Sequence, residues 1–237
     1  MTKILGILSG KSGVGKTTVS MNLGIALGNH GKNVILVDAD LERPNLGLYL
    51  GVIKPEATLH GALKGEISLG DALYMHRSGL KVILGDISEQ DIGNKFKKLK
   101  LLISELENKA DVVILDTGGF NKELADVIDL AIIVVSPEMP AVADALRAVN
   151  VLQTSGVKLL GCIVNKVSQI LDVTIENIQT ILGVPVIAVI PDDKKMKEAV
   201  KLKHPIVYSH PEADSSSVFD ALALCLVNDY DDRRRNT

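Results

Sequence analysis

The sequence feature that most constrains this chain is the glycine-rich stretch from Gly10 to Thr18, which reads GKSGVGKTT. It fits the pattern of a glycine, any four residues, a second glycine, a lysine and a serine or threonine that wraps the phosphates of a nucleotide. The fixed positions of that pattern are Gly10, Gly15, Lys16 and Thr17. An apolar run over 4–8 precedes the stretch and a segment of helical spacing over 17–27 follows it. We therefore expect a strand, a loop and a helix in that order.

This setting predicts how the loop would bind phosphate. Glycines let consecutive backbone N–H groups point inward, and a helix that begins near Lys16 adds the positive end of its dipole. Lys16 is expected to reach the outer phosphates, and the Thr17 hydroxyl is expected to coordinate Mg²⁺. The predicted nucleotide-binding residues of the loop are Gly10, Lys11, Ser12, Gly13, Val14, Gly15, Lys16, Thr17 and Thr18. The alternative is a lysine-bearing surface turn, which the flanking strand and helix argue against.

Strand-like and helix-like segments alternate along the chain, which predicts an α/β fold. We expect residues 1–237 to form a single domain with one doubly wound, mostly parallel sheet of about seven to eight strands and helices on both faces. Because 46% of residues are hydrophobic and only 3% aromatic, the core must consist of Val, Ile, Leu and Ala. The predicted strands span 4–8, 34–38, 80–84, 111–116, 130–136, 159–164 and 186–190. The predicted helices span 17–27, 58–63, 68–73, 95–109, 141–154, 173–182, 194–202 and 217–228, and the charged tail 229–237 is expected to be frayed.

Charge and cysteine content narrow the classes of function. The formal net charge is -3, which offers no global attraction for nucleic acid, so DNA is not an expected partner. Cys162 and Cys225 belong to no metal-binding cluster, and we expect both to be buried as small apolar side chains. The N-terminus has no signal-peptide pattern and no apolar run reaches membrane-spanning length, so a cytoplasmic protein is expected.

Acidic residues at the ends of two predicted strands point to the edge of the sheet that also carries the glycine-rich loop. The second strand ends in Asp38-Ala39-Asp40 and the fourth ends in Asp116. Ligands bind at the carboxyl ends of parallel strands, so Asp116 is a candidate to hold a Mg²⁺-bound water and Asp38 a further candidate metal ligand. Each of these residues could instead cap the turn that follows its strand.

Polar residues after two later strands suggest where a nucleotide base would lie. Asn165 follows the sixth predicted strand, and its amide is suited either to reading a base edge or to forming a turn. Pro191 and Asp192 follow the seventh predicted strand and are expected to border the base.

Lys11 is not required by the general phosphate-loop pattern, and it resembles the signature lysine of the deviant Walker A ATPases, the family of MinD, ParA and the nitrogenase iron protein. The family's usual loop reads KGGxGKT, and Ser12 here replaces its first glycine. Asp38-Ala39-Asp40 is similar to the family's switch I, and Asn165 and Ile190-Pro191-Asp192-Asp193 match positions around the adenine. Resemblance to the MinD branch, particularly its archaeal-type members, rests on Asn45-Leu46, Leu50-Gly51, Thr58-Leu59-His60 and Gly65-Glu66.

The resemblance implies an Mg²⁺-dependent ATPase that binds ATP and ADP and works as a molecular switch. ATP would lie between two subunits of a homodimer, Lys11 would cross to the partner's phosphates, and hydrolysis would release the dimer. Lys16 would neutralise charge on the transferring phosphoryl group, and Asp40 would position the attacking water. A MinD-like role in spatial positioning or division-site regulation follows, together with an unidentified protein activator or cargo.

Departures from the family pattern leave other roles open. Asp116-Thr117-Gly118-Gly119 lacks the proline that is common in this segment of the family. The C-terminus lacks the basic amphipathic helix by which bacterial MinD holds membranes, so peripheral membrane contact is left open. The alternatives are a ParA-like DNA-partition ATPase, an ATP-dependent metabolic enzyme similar to dethiobiotin synthetase, and a metal-centre assembly ATPase, which the absence of a CxxC motif disfavours.

Overall fold

Strands and helices alternate along the part of the chain that the computed structural model describes, residues 2–88, 95–119 and 122–235. The strands are β1 (Lys3–Leu8), β2 (Val34–Asp38), β3 (Leu73–Met75), β4 (Lys81–Ile83), β5 (Val112–Asp116), β6 (Leu130–Val135), β7 (Lys158–Val167) and β8 (Val186–Pro191). The helices are α1 (Lys16–Asn29), α2 (Leu46–Leu50), α3 (Leu59–Lys64), α4 (Lys95–Ser104), α5 (Met139–Gln153), α6 (Ile175–Leu182), α7 (Lys194–Leu202), α8 (Ile206–Ser209) and α9 (Asp214–Arg235), and Lys122–Asp126 form a 3₁₀ helix.

The strands form an eight-stranded sheet in the order β3-β4-β2-β5-β1-β6-β7-β8. Neighbouring strands are parallel except for β3 and β4, which are antiparallel. Every residue of β2 and β5 is buried, as expected for parallel strands covered on both faces. The predicted fold class, α/β with one mostly parallel sheet, is therefore confirmed.

The chain changes direction across the sheet at β1. From β1 it crosses to β2 on one side, whereas from β6 it crosses to β7 on the other side. Right-handed crossovers then place α1 and α5 on opposite faces, where α1 packs against α8 and α9, and α5 packs against α6. Ligands bind at such a switch point, outside the carboxyl ends of the central strands. The glycine-rich loop follows β1 at this point.

Aliphatic side chains build the core, as the composition predicts, and Phe219 is a large aromatic side chain that is fully buried among them. Cys162 in β7 is buried, but Cys225 in α9 is exposed, so the prediction for the second cysteine was wrong. The buried face of α9 carries Phe219, Leu222 and Ala223. Helical geometry turns Cys225 away from that face despite its apolar neighbours.

The predicted helix over 68–73 is wrong, because the chain makes one turn there and then enters β3. Ser68 and Asp71 exchange hydrogen bonds: the Ser68 hydroxyl donates to Asp71 Oδ2 over 2.7 Å, and the Asp71 N–H donates to Ser68 Oγ over 3.2 Å. This pairing resembles the start of a helix. The helix does not continue, since Leu73 pairs with Ile83 of β4 instead.

Two other helices differ in length from their predictions. Helix α4 ends at Ser104 rather than Lys109, because Glu105 and Leu106 donate to carbonyls three residues back and the chain tightens into turns. Helix α9 spans Asp214–Arg235, so it begins earlier than predicted and continues into the tail that was expected to be frayed. No helix in the described ranges is long and apolar enough to cross a membrane.

Candidate functional site

The glycine-rich loop has the backbone conformation that its sequence requires. Gly13 and Gly15 have φ angles of 82° and 101°, in the left-handed region that side-chain-bearing residues rarely adopt. Gly15 immediately precedes α1, so the unpaired N–H groups at the start of this helix open onto the loop. This arrangement makes the loop a ready-made site for an anion.

Close packing also explains two glycines of the loop. A Cβ atom at Gly10 would overlap the backbone carbonyl of Asp144 in α5. At Gly15 it would overlap the amide nitrogen of Asn165 in β7. The loop is therefore wedged between β7 and α5, and a side chain at either position would displace it.

Lys16 lies inward at the start of α1, where only 8% of its surface is exposed. Its Nζ donates a hydrogen bond of 2.8 Å to Ser9 Oγ at the end of β1. Burial lowers the pKa of Lys16, while the charges of Asp116 and Asp40 act in the opposite direction. The ammonium group thus faces two carboxylates in a poorly hydrated setting, where electrostatic interactions are strong.

Asp116 lies at the end of β5 beside the first turn of α1. Burial raises the pKa of Asp116 to about 6, although the hydrogen bond from Thr17, the charge of Lys16 and the hydrogen bond from Ser20 each lower it. Ser20 Oγ donates to Asp116 Oδ1 over 3.1 Å. The Thr17 hydroxyl also lies 3.0 Å from Asn45 Oδ1, so Asp116 and Asn45 compete for its single proton. A hydroxyl and a carboxylate are oxygen ligands of the kind that Mg²⁺ prefers.

Asp38 is the last residue of β2 and is in register with Asp116 on the neighbouring strand β5. Its Oδ2 accepts a hydrogen bond of 3.0 Å from the Leu46 N–H, whereas Oδ1 is buried without a partner within the described residues. Burial holds the pKa of Asp38 well above its usual range, and the nearby charge of Asp116 raises it further. An unpaired buried oxygen beside Asp116 fits a cation at this end of the sheet.

Asp40 lies beyond the end of β2 and faces the loop. Its Oδ1 accepts a hydrogen bond of 3.0 Å from the Arg43 N–H, which fixes the carboxylate in a local turn. On its other side the carboxylate lies against Gly118, which follows β5.

Asn165 and Lys166 brace the loop from β7. Asn165 Nδ2 donates to the carbonyl of Val14 over 2.7 Å, and Lys166 Nζ donates to the carbonyl of Gly13 over 2.7 Å. Lys166 has a φ of 61°, an uncommon conformation for a residue with a side chain. The sequence suggested that the Asn165 amide could contact a base edge. In the structure its nitrogen instead binds the backbone of the glycine-rich loop.

Lys11 points away from these groups. Its Nζ lies 3.5 Å from Glu138 Oε2 at the start of α5, and both side chains are largely exposed.

These elements surround a cleft of about 520 Å³. The predicted site residues that line it are Ser12, Gly13, Gly15, Lys16, Thr17, Thr18, Asp40, Asp116, Asn165, Pro191 and Asp192. Within the described ranges, the predicted residues that do not line it are Gly10, Lys11, Val14 and Asp38. The lining also includes residues outside the predicted set: Asn45, Tyr49, Thr117, Gly118, Lys166, Asp193, Met196, Lys197, Val200 and Lys201.

Two serines next to the cleft were missed for different reasons. Ser20 lies one helical turn beyond Lys16 and Thr17 on α1, so helical spacing could have identified it as a neighbour of Asp116. Ser9 contacts Lys16 only because the loop folds back, which no sequence spacing predicts. Helix α7 also lines the cleft, with Met196, Lys197, Val200 and Lys201.

Residues 5–206 match the family model of the CobQ/CobB/MinD/ParA nucleotide binding domain. An uncharacterized ATP-binding protein of Methanocaldococcus jannaschii is 34% identical over 233 residues, which cover 96% of this chain and 88% of that protein. The structure of the cell division ATPase MinD of Pyrococcus furiosus is similar with a TM-score of 0.85 and 33% identity, over 96% of this chain and 99% of that one. The septum site-determining protein MinD of Pyrococcus horikoshii, solved in complex with Mg-ADP, gives a TM-score of 0.84 and 34% identity, over 94% and 95% of the two chains.

Proposed function

Because this chain belongs to the MinD/ParA family of P-loop ATPases, we propose that it hydrolyses ATP with Mg²⁺ and that ATP binding joins two copies of the chain. The observation that carries the proposal is the convergence of Lys16, Asp40 and Asp116 on one cleft beside the glycine-rich loop. Phosphoryl transfer requires mainly positioning and charge stabilisation, and these residue types supply both.

Lys16 would move from Ser9 to the outer phosphates of ATP. Its ammonium lies at the start of α1, so it and the backbone N–H groups of the loop would act on the same phosphates. Because the group is poorly hydrated, its attraction for phosphate would exceed that of a surface lysine.

The Thr17 hydroxyl would bind Mg²⁺ directly, and Asp116 would hold it through a water molecule. Asp38, in register with Asp116 on the neighbouring strand, would support this arrangement instead of acting as a direct ligand. When bound, the cation supplies neutralisation of the charge on the phosphate oxygens. The Mg-ADP complex of the Pyrococcus horikoshii relative supports the choice of cation.

Asp40 would orient the attacking water. It lies in the cleft two residues beyond the end of β2, where its Oδ1 accepts a hydrogen bond from the Arg43 N–H. Asn165, Pro191 and Asp192, which line the cleft, would border the adenine.

The dimer would use Lys11, whose side chain lies outside the cleft of its own subunit. Released from Glu138, Lys11 would reach the phosphates bound by a second copy of the chain. Hydrolysis would remove those contacts and separate the two copies. The bound nucleotide would therefore control when the dimer forms, and the dimer would act in a MinD-like positioning role with a protein activator or cargo.

Two substitutions test the proposal. Lys16→Ala should abolish nucleotide binding because it removes the buried charge that faces the phosphates. Asp40→Ala should still bind ATP but should hydrolyse it at least about tenfold more slowly, so that the ATP dimer accumulates. Titration with a fluorescent ATP analogue, phosphate release and light scattering measure the three properties.

Lys158→Ala is the matched control for the lysine substitution, since Lys158 is exposed at the opposite end of the sheet. It should leave binding and turnover unchanged. Equal ATP turnover by Asp40→Ala and the parent chain would remove Asp40 from the mechanism. ATP-dependent, salt-sensitive retention on nonspecific DNA would instead favour a partition role.

A further inference from the structure

The carboxylate of Asp40 rests directly on the backbone of Gly118. A Cβ atom at Gly118 would lie 2.5 Å from Asp40 Cγ and 2.6 Å from Asp40 Oδ2, and it would also overlap Oδ1. These separations are far shorter than a non-bonded contact between such atoms allows. The carboxylate therefore occupies the space that any side chain at this position would need.

The adjacent glycine does not share this property. Among the residues that the structure describes, a Cβ atom at Gly119 would meet no atom within 4 Å. Neither glycine has a φ in the left-handed region, so backbone conformation does not require glycine at either position. The contact with Asp40 is thus the feature that distinguishes Gly118.

We propose that Gly118 is a positioning residue for Asp40, and that the absence of a side chain at Gly118 lets the carboxylate lie where it can orient the attacking water. The inference rests on the proposed function of Asp40.

The side chain of Asp40, and not the backbone, would yield to a methyl group at Gly118. The backbone around Gly118 is tied to the sheet, because Thr117 Oγ1 donates to the Ile7 carbonyl over 2.9 Å and Ala39 N–H donates to the Asp116 carbonyl over 2.8 Å. Within the described part of the chain, the Asp40 carboxylate accepts one hydrogen bond, from the Arg43 N–H. Rotation of the carboxylate is therefore the easiest response to Gly118→Ala.

The experiment compares Gly118→Ala with Gly119→Ala in the full chain. Gly118→Ala should bind ATP with an affinity close to that of the parent, because Asp40 is not expected to hold the phosphates. Its turnover should fall about ten- to a hundredfold, since displacement of a positioned group by roughly 1 Å has an effect of that size. The ATP dimer should persist as in Asp40→Ala, whereas Gly119→Ala should match the parent in all three measurements.

A thermal-unfolding cycle provides a second readout. Gly118→Ala should lower the melting temperature of the parent, but the loss should be smaller in the Asp40→Ala chain, where the methyl group has room. Equal losses of melting temperature in the parent and in Asp40→Ala would show that Gly118 and Asp40 are not in contact. Equal turnover by Gly118→Ala and Gly119→Ala, when Asp40→Ala is inactive, would also overturn the proposal. Normal turnover by Asp40→Ala would instead refute the proposed function of Asp40, while the unfolding cycle would still test the contact.

Discussion

Glycines serve different purposes at different positions in this chain. Gly10 and Gly15 are required by what lies beside them, the Asp144 backbone and the Asn165 amide. Gly28 lies in the last turn of α1, and its φ is not in the left-handed region. Apart from the backbone of its own helix, no atom of the described residues lies within 4 Å of the place a Cβ would occupy. At Gly28 the absence of a side chain therefore brings only the entropic cost of a glycine in a helix.

Gly28→Ala should raise the free energy of unfolding by about 0.5–1 kcal/mol, because alanine loses less backbone freedom on folding. Gly24, one turn earlier, is the matched control, since its Cβ would lie 3.0 Å from Leu80 Cδ1. Gly24→Ala should gain less than Gly28→Ala, or lose stability. Urea unfolding of the two variants and the parent measures the difference, and a Gly28→Ala chain no more stable than the parent would contradict the prediction.

The residues of the glycine-rich loop could be predicted because their chemistry depends on residues that are adjacent in the sequence. The pattern around Lys16 and Thr17 is contiguous, so it can be recognised without any knowledge of the fold. The partners of these residues could not be predicted in the same way. Ser9 contacts Lys16 and Gly118 contacts Asp40 only because separate segments meet at the sheet edge.

Elements far apart in sequence are joined by a histidine pair. His76, in the β3–β4 turn, lies with its ring centroid 5.8 Å from that of His204, between α7 and α8, and His204 in turn contacts Tyr208. Burial lowers the pKa of His76 to about 4, and the nearby His204 and Arg77 add to the effect. His76 is therefore neutral in the folded chain at neutral pH.

This burial predicts how stability depends on pH. Below its ordinary pKa of 6.5 the unfolded chain binds a proton at His76 that the folded chain does not, so stability should fall as pH decreases from about 6.5 to about 4. The contribution is roughly 3 kcal/mol for a shift of this size. His76→Asn removes the titrating group and should make the decline shallower.

Chemical denaturation of the parent and of His76→Asn at several pH values between 4 and 7 measures this contribution. Asparagine can still accept the hydrogen bond that His76 Nδ1 accepts from the Ser78 N–H over 3.2 Å. Parallel stability curves for the two chains would show that His76 does not contribute.

Elements could be predicted where their hydrophobic pattern was long and unambiguous. The buried strands β2 and β5 are continuous apolar runs, and both were predicted. Strand β3 was missed because it is short, lies at the sheet edge and has three exposed residues, so it carries no pattern of burial. Its pairing with β4 is a tertiary effect that outweighs the helix-like start at Ser68.

For the whole molecule, the position of Lys11 matters most to the proposed dimer. Its ion pair with Glu138 spans 3.5 Å between largely exposed side chains, and such pairs contribute at most about 1 kcal/mol. The pair is therefore too weak to prevent Lys11 from reaching a second subunit.

Lys11→Ala should bind ATP but should fail to form the ATP dimer, because the cross-subunit charge is lost. Glu138→Gln, which removes only the partner within the subunit, should change the dimerisation constant by no more than about fivefold. Light scattering with ATP and with ADP measures both variants. If Lys11→Ala dimerises normally with ATP, Lys11 has no role across the interface.

The order of strands in the sheet also affects how the chain is made. Strand β1 and the glycine-rich loop leave the ribosome before β5 and β6, yet β1 lies between these two strands in the sheet. Strand β1 therefore lacks its first permanent neighbour until residues up to 116 have been synthesised, and its second until residues up to 135 have been. At about 5–20 residues per second, the nascent loop waits several seconds without the sheet that shapes it. Nucleotide binding would thus begin late in synthesis, and apolar β1 would be exposed to chaperones during that interval.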